Sequence, residues 1–210
     1  MNSKELKDII GSISNLIDSN KDYLIELDAQ NGDGDLGISM SNGFKALVTF
    51  LETNEETDIG KVFMKMSSIL NEASPSSLGT IISFFMIGIA KSLKGKTEIQ
   101  LNDISNAMDN GLKLIMEKAN SKLGEKTILD SLNPAIEALK NSSSLDAKEA
   151  FKNAFEAASK GSESTKNMKA VHGRASYYGD KSIGMLDGGS VVGKIIFEGI
   201  YHYYSRGWPR

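Results

Sequence analysis

The sequence predicts an all-α protein, a single-domain bundle of about eight antiparallel helices, and three observations predict it. Apolar residues recur at three- and four-residue spacing along most of the chain. β-Branched alternation is scarce, and only three prolines interrupt 210 residues. Connections between the periodic segments are mostly short, which favours antiparallel neighbours. A chain of this length can enclose a substantial core as one domain.

The first helix is expected over Ser3–Asp28, where Leu6, Ile9, Ile10, Ile13, Leu16 and Ile17 form a stripe. Ser39–Glu52 follows across a break rich in glycine and aspartate. Ile59–Glu72 carries Val62, Phe63, Met66, Ile69 and Leu70 on one face. Ser77–Leu93 contains the most apolar run, Thr80–Ala90, which is interrupted by Ser83 and followed by Lys91 and Lys94. That run is too short to cross a bilayer and reads as a buried core helix. Asn102–Lys122 and Ile128–Asn141 come next, the latter opened by Thr127 and Asp130 at a spacing that resembles a capping box. Ala147–Ser159 is introduced by Asp146 with Glu149 and buries Phe151, Ala154, Phe155 and Ala158. Ser190–Tyr204 ends the series, anchored by Tyr201, Tyr203 and Tyr204, with His202 structural among them.

Composition excludes several classes of function. Apolar content of 40% and charged content of 24% are ordinary for a soluble globular protein. A net charge of −3 gives no nucleic-acid footprint and no basic membrane patch. The chain has no cysteine, so disulfides, thiolate metal sites and a cysteine nucleophile are all excluded. Met1–Ile13 lacks the basic and apolar regions of a signal peptide. The expectation is a soluble, cytoplasmic protein.

Four breaks in the helical pattern are unlike ordinary turns. They are Asn31–Gly37, Ser74–Thr80, Gly124–Thr127 and the long stretch Gly173–Gly189. In an up-and-down bundle alternate connections share an end, and these four are alternate connections. They are therefore expected on one face.

In the first break Asp28, Asp33 and Asp35 bring three carboxylates together, with Gly32, Gly34 and Gly37 beside them. Like charges this close repel, so the cluster makes sense around a cation. All-oxygen ligands suit Mg²⁺, Ca²⁺ or Mn²⁺. An EF-hand loop starting at Asn31 would need glycine at Leu36 and glutamate at Asn42, and fails at both. An acidic, solvated turn is the simpler alternative.

The other breaks carry weaker signals. Ser76 and Ser77 lie at a helix start beside Gly79 and Thr80, where amides and hydroxyls can hold a phosphate. Plain N-capping behind Pro75 is the competing reading, and the ending of a Walker A loop is missing. Arg174 could stabilise charge on a transferring phosphoryl group, or simply be a surface arginine. Asp187 is either a phosphate-side group or the cap of the last helix, and Thr127 with Asp130 reads structurally as a helix start. His172 is too isolated to build a histidine site.

Taken in order, these stretches resemble a known family. Asp28 with Asn31–Gly37, Ser76-Ser77 ahead of Phe84-Phe85, Gly124–Asp130 with Pro134-Ala135, Gly173–Tyr177, Gly179–Gly184 and Asp187 are similar to the nucleotide-binding L subunit of bacterial dihydroxyacetone kinase. The equivalent C-terminal domain of single-chain kinases has the same series. The resemblance covers nearly the whole chain, residues 1–210, as one nucleotide-binding domain. It implies a barrel of about eight antiparallel helices with ADP or ATP and a pair of Mg²⁺ ions in loops at one end. Asp28, Asp33 and Asp35 would then be metal ligands, and Ser76 and Ser77 phosphate contacts. Arg174 would lie near the terminal phosphate, and Gly124, Thr127, Met185 and Asp187 would help enclose the nucleotide. It further implies a separate K subunit carrying dihydroxyacetone, and recharging by an M-type phosphotransferase-system protein. A homodimer is left open. An ATP-exchanging kinase subunit and a nucleotide-binding regulatory protein are the alternatives. The chain departs from the family pattern at Ser74–Leu78, often glycine-rich, at Leu36, histidine in some members, and after Asp187, where Gly188 stands in place of the common proline.

Overall fold

The computed structural model describes residues 1–205, and among these no β-strand forms. Nine α-helices follow one another: α1 Ser3–Ser19, α2 Lys21–Ala29, α3 Leu36–Glu52, α4 Ile59–Ala73, α5 Ser77–Leu93, α6 Leu101–Ala119, α7 Leu129–Asn141, α8 Ala147–Ser164 and α9 Gly188–Ser205. Between α8 and α9 lie 3₁₀ turns over Thr165–Asn167 and, on either side of a kink at Gly179 (φ 55°), over Arg174–Ser182. No helix among the described residues is long and apolar enough to cross a membrane.

The expected first helix is in fact two. Beyond Ile17 the positions at helical spacing are Asn20 and Lys21, and apolar spacing resumes at Leu24 and Leu27, both buried, so one polar turn is all that marks the break. The break is polar and local: the Asn20 side-chain amide donates to the Leu16 carbonyl at 2.8 Å and competes with the helix ladder. α3 starts a turn earlier than expected, at Leu36, and α6 stops at Ala119 because Asn120 turns left-handed (φ 46°). α8 runs one turn further, to Ser164, and α9 opens at Gly188.

Eight of the helices close a ring in which each packs on the next: α3, α4, α5, α6, α7, α8 and α9 in order, then α1 back against α3. The short α2 lies outside this ring, against α3. Leu70, Met66, Phe44, Phe151 and Phe197, each at most 2% exposed, fill the interior. Tyr204 stacks on Phe151 at 5.2 Å and Tyr201 on Phe155 at 6.0 Å, so the tyrosines do anchor α9, as the sequence suggests.

Packing is tightest where glycines face each other. A Cβ at Gly88 of α5 would lie 2.5 Å from the Gly111 Cα of α6 and 2.8 Å from the Asn110 carbonyl oxygen. Alanine there would gain about 1 kcal/mol of helix propensity. The overpacking opposes it with about 1–3 kcal/mol, because a backbone cannot yield as a side chain does. Gly88→Ala is therefore expected to lower stability, read as a lower midpoint in urea denaturation.

Candidate cation and phosphate site at the barrel mouth

Alternating helix direction brings the starts of α3, α5, α7 and α9 to one end. Contacts around α9 bear this out. A Cβ at Gly188 would meet Leu36 of α3, and one at Gly189 would lie 3.4 Å from the Ile128 amide and 3.5 Å from Leu78 of α5. Four helix N-termini thus share a mouth, and each presents unpaired amides and the positive end of its dipole. At the opposite end the Ile59 amide donates to Lys96 O at 2.8 Å, and the Gly95 amide to Asp58 Oδ2 at 3.0 Å.

The acidic loop joins α2 to α3 at this mouth. Asp28 lies in the last turn of α2, and its Oδ2 accepts the amides of Gly34 (2.8 Å) and Asp35 (3.1 Å), which bends the chain back over it. Gly34 makes the bend with φ of 74°, a region that favours glycine. Gly32 lies so close to Asp28 Oδ1 that a side chain there would strike it. Asp35 precedes the first residue of α3 yet makes no capping bond with its side chain, so its carboxylate turns to the cluster. One oxygen from each of Asp28, Asp33 and Asp35 falls within 4.8 Å of the other two.

These oxygens suit a hard divalent cation. Octahedral Mg²⁺ holds oxygens at about 2.0–2.1 Å, which sets ligand oxygens roughly 3–4 Å apart. Burial raises the Asp35 pKa above the ordinary aspartate value, and the charges of Asp33 and Asp28 raise it further against the opposing Arg174. A cation would relieve that repulsion. Asp33 also forms an ion pair with Arg174, which brings the sequence-predicted arginine to the acidic loop.

Met185 arrives by another route, its Sδ accepting the Asn31 side-chain amide at 3.0 Å. Gly124 and Thr127 are gathered by Asp130, 7% exposed, whose two oxygens accept their amides at 2.6 and 2.8 Å. That bond to Thr127, with Leu129 N donating to Thr127 Oγ1 at 3.2 Å, bears out the helix-start reading. Ser76 caps α5 through Gly79 N (3.1 Å), and its hydroxyl also meets Ser39 of α3 at 2.8 Å. Ser39 in turn meets Ser74 at 2.6 Å, so a buried hydroxyl chain fixes the start of α5 to the first turn of α3. Ser77 is exposed and stands outside these contacts.

Asp187 caps α9 through Ser190 N at 2.6 Å, and burial pushes its carboxyl up to about 7. The Ser190 amide and Lys126 oppose that shift, while Asp130 and Asp28 add to it. An acid whose folded pKa is raised binds more protons folded than unfolded, so its contribution to stability falls as pH rises from about 4 to about 7. Asp187→Asn keeps an oxygen for the cap without the charge. The variant is expected to gain stability relative to the unchanged protein on going from pH 5 to pH 7.5, measured by urea denaturation at both.

Several residues here are not singled out by the sequence. Ser39 and Ser74 look like ordinary helix and loop serines. His172, isolated in sequence, meets Glu125 at 2.6 Å, and Glu125 also accepts the Lys122 amide at 2.7 Å. Lys126 is 4% exposed and reaches three carbonyl groups, which nothing in its spacing foretells.

Fold and site together define a helical barrel with a carboxylate cluster set among converging helix starts at one mouth. Residues 30–202 match the DAK2 domain family. The chain is 31% identical over 193 residues to the ADP-binding subunit DhaL of PEP-dependent dihydroxyacetone kinase 2 of Listeria innocua, covering 90% of this chain and 89% of that one. It is 33% identical over 211 residues to a probable dihydroxyacetone kinase of Dictyostelium discoideum, covering 94% of this chain but only 33% of that protein. The crystal structure of the dihydroxyacetone kinase of C. freundii in complex with AMP-PNP and Mg²⁺ superposes with a TM-score of 0.73 at 21% identity, over 93% of this chain and 33% of that one. This chain thus spans about a third of the longer relatives and most of the length of the subunit. It belongs to the DAK2 domain family of dihydroxyacetone-kinase subunits and domains.

Proposed function

We propose that this chain, across residues 1–210, is the nucleotide-binding part of a dihydroxyacetone-kinase-type phosphotransferase. It holds Mg²⁺ with ADP or ATP at the barrel mouth and passes a phosphoryl group to dihydroxyacetone, or a related small carbonyl or polyol, carried by a separate K-type subunit. The observation that carries this reading is the convergence of Asp28, Asp33 and Asp35 within 4.8 Å, beside Arg174 and a ring of helix N-termini. The names of the relatives support the choice of nucleotide and acceptor.

Bound Mg²⁺ supplies charge neutralisation at the phosphates and a fixed geometry for in-line transfer. Asp28, Asp33 and Asp35 hold the cation, with Asp28 pinned by two backbone amides so that the cluster keeps its shape. Ser76, Ser77 and the helix starts bind phosphate oxygens, Gly124, Thr127, Met185 and Asp187 wall the nucleotide, and Arg174 stabilises charge on the group in flight. The acceptor hydroxyl oxygen bonds to the terminal phosphorus while the bond from that phosphorus to the bridging oxygen breaks. The hydroxyl proton leaves to a base on the acceptor-carrying subunit, since Asp28, Asp33 and Asp35 are engaged by the cation and Asp130 and Asp187 by backbone amides.

The PEP-dependent relative favours a relay in which an M-type phosphotransferase-system protein recharges resident ADP. Mass spectrometry of nucleotide released by denaturing freshly purified protein tests the reading. ADP or ATP near one per chain is expected, with ADP retained through dialysis if the relay operates. Protein that carries no nucleotide and takes up no Mg²⁺-ADP in calorimetry would overturn it.

A further inference from the structure

Lys126 combines two unfavourable features. It is 4% exposed, an unusual site for an ammonium group, and its φ of 62° is left-handed, a region a side chain occupies at a cost. Such features persist where the surroundings fix them, often at functional sites. What holds the ammonium is main chain: Nζ donates to Thr165 O at 2.7 Å, Met168 O at 3.4 Å and Met185 O at 2.5 Å.

Those carbonyls come from separate turns. Thr165 and Met168 bracket the 3₁₀ turn after α8, and Met185 belongs to the turn that leads into Asp187 and meets Asn31 of the acidic loop. Neutral bonds join the same turns, from Gly184 N to Lys166 O at 2.7 Å and from Asp187 N to Thr165 Oγ1 at 3.1 Å. Lys126 adds the third segment, its own Gly124–Thr127 turn, and does so with a charge. Burial lowers its pKa, and the nearby Asp187 charge opposes the lowering.

We propose that Lys126 is a positioning residue for the nucleotide: its buried ammonium sets the spacing between the Gly124–Thr127 turn, the Thr165–Met168 turn and the Gly184–Asp187 turn, so that the mouth fits a nucleoside diphosphate. The inference rests on the nucleotide-binding reading above. Cation capture belongs to a different loop, so loss of Lys126 separates the two properties.

Lys126→Met and Lys126→Gln are the test variants, the second keeping N–H donors for the carbonyls. Each is measured for helical content, for Mn²⁺ binding alone by electron paramagnetic resonance, and for Mg²⁺-ADP binding by calorimetry. The expected result for Met is native helicity, Mn²⁺ affinity within about twofold, and Mg²⁺-ADP affinity lower on the order of a hundredfold, with a smaller loss for Gln. The chain has no cysteine, so Lys126→Cys gives a single thiol that 2-bromoethylamine converts in the unfolded state to an ammonium side chain of nearly lysine length. Refolded, this protein is expected to regain Mg²⁺-ADP affinity to within about tenfold of the unchanged protein.

Unaltered Mg²⁺-ADP affinity in a folded Met variant would overturn the proposal. So would failure of both Met and Gln variants to fold, or parallel loss of Mn²⁺ and ADP binding, since either makes Lys126 a stability residue. An unchanged protein that binds Mn²⁺ but no Mg²⁺-ADP would instead sink the nucleotide reading itself.

Discussion

Asp33→Ala and Asp35→Ala proteins are each expected to lose Mg²⁺-dependent ADP affinity by at least about a hundredfold while keeping native helical content. Both carboxylates are exposed, neither fills the core, and Asp35 leaves α3 uncapped by its side chain, so little structure depends on them. Their removal takes away one anionic ligand in three, which a strongly hydrated cation replaces with water only at the expense of its grip on the protein. Asp28 differs. Its carboxylate also closes the turn through Gly34 and Asp35, so Asp28→Ala should disorder the loop as well as weaken the site. Calorimetry giving undiminished Mg²⁺-ADP affinity in both single variants would remove the ligand assignment.

Arg174→Ala is expected to slow phosphoryl transfer about a thousandfold while weakening Mg²⁺-ADP binding by only about tenfold. The residue stands at the start of an exposed 3₁₀ segment and pairs with Asp33 of the acidic loop. A guanidinium so placed contributes most when charge develops on a group leaving the nucleotide. Rates measured with the K-type partner and dihydroxyacetone, set beside calorimetric affinities, separate the two effects. Equal losses would make Arg174 a ground-state phosphate clamp.

The helical stripes make the fold legible in the sequence because apolar spacing is a direct record of which face is buried. The grouping of the four unusual breaks at one end also follows from chain direction alone, and the contacts of Gly188 and Gly189 agree with it. The Asn20 break escapes notice because it spans one polar turn, Asn20 and Lys21, after which apolar spacing resumes at Leu24 and Leu27. Within the mouth, the carboxylate cluster is legible since its members lie within eight residues of one another. Lys126 and Ser39 are not. Their partners, Thr165 and Met185 for one and Ser74 and Ser76 for the other, lie 35 to 59 residues away. Hydrogen bonds of that reach leave no periodic trace.

The far rim of the barrel has a different character from the mouth. Its connections, 53–58, 94–100 and 142–146, carry no part of the acidic loop, and the first two are tied to each other by the bond from Gly95 to Asp58. Lengthening a surface connection raises its closure entropy only slowly with length. Grafted peptides, dye attachment points or surface tethers introduced there are expected to leave Mg²⁺-ADP binding undisturbed, so the ring offers a handle on the side away from the carboxylate cluster.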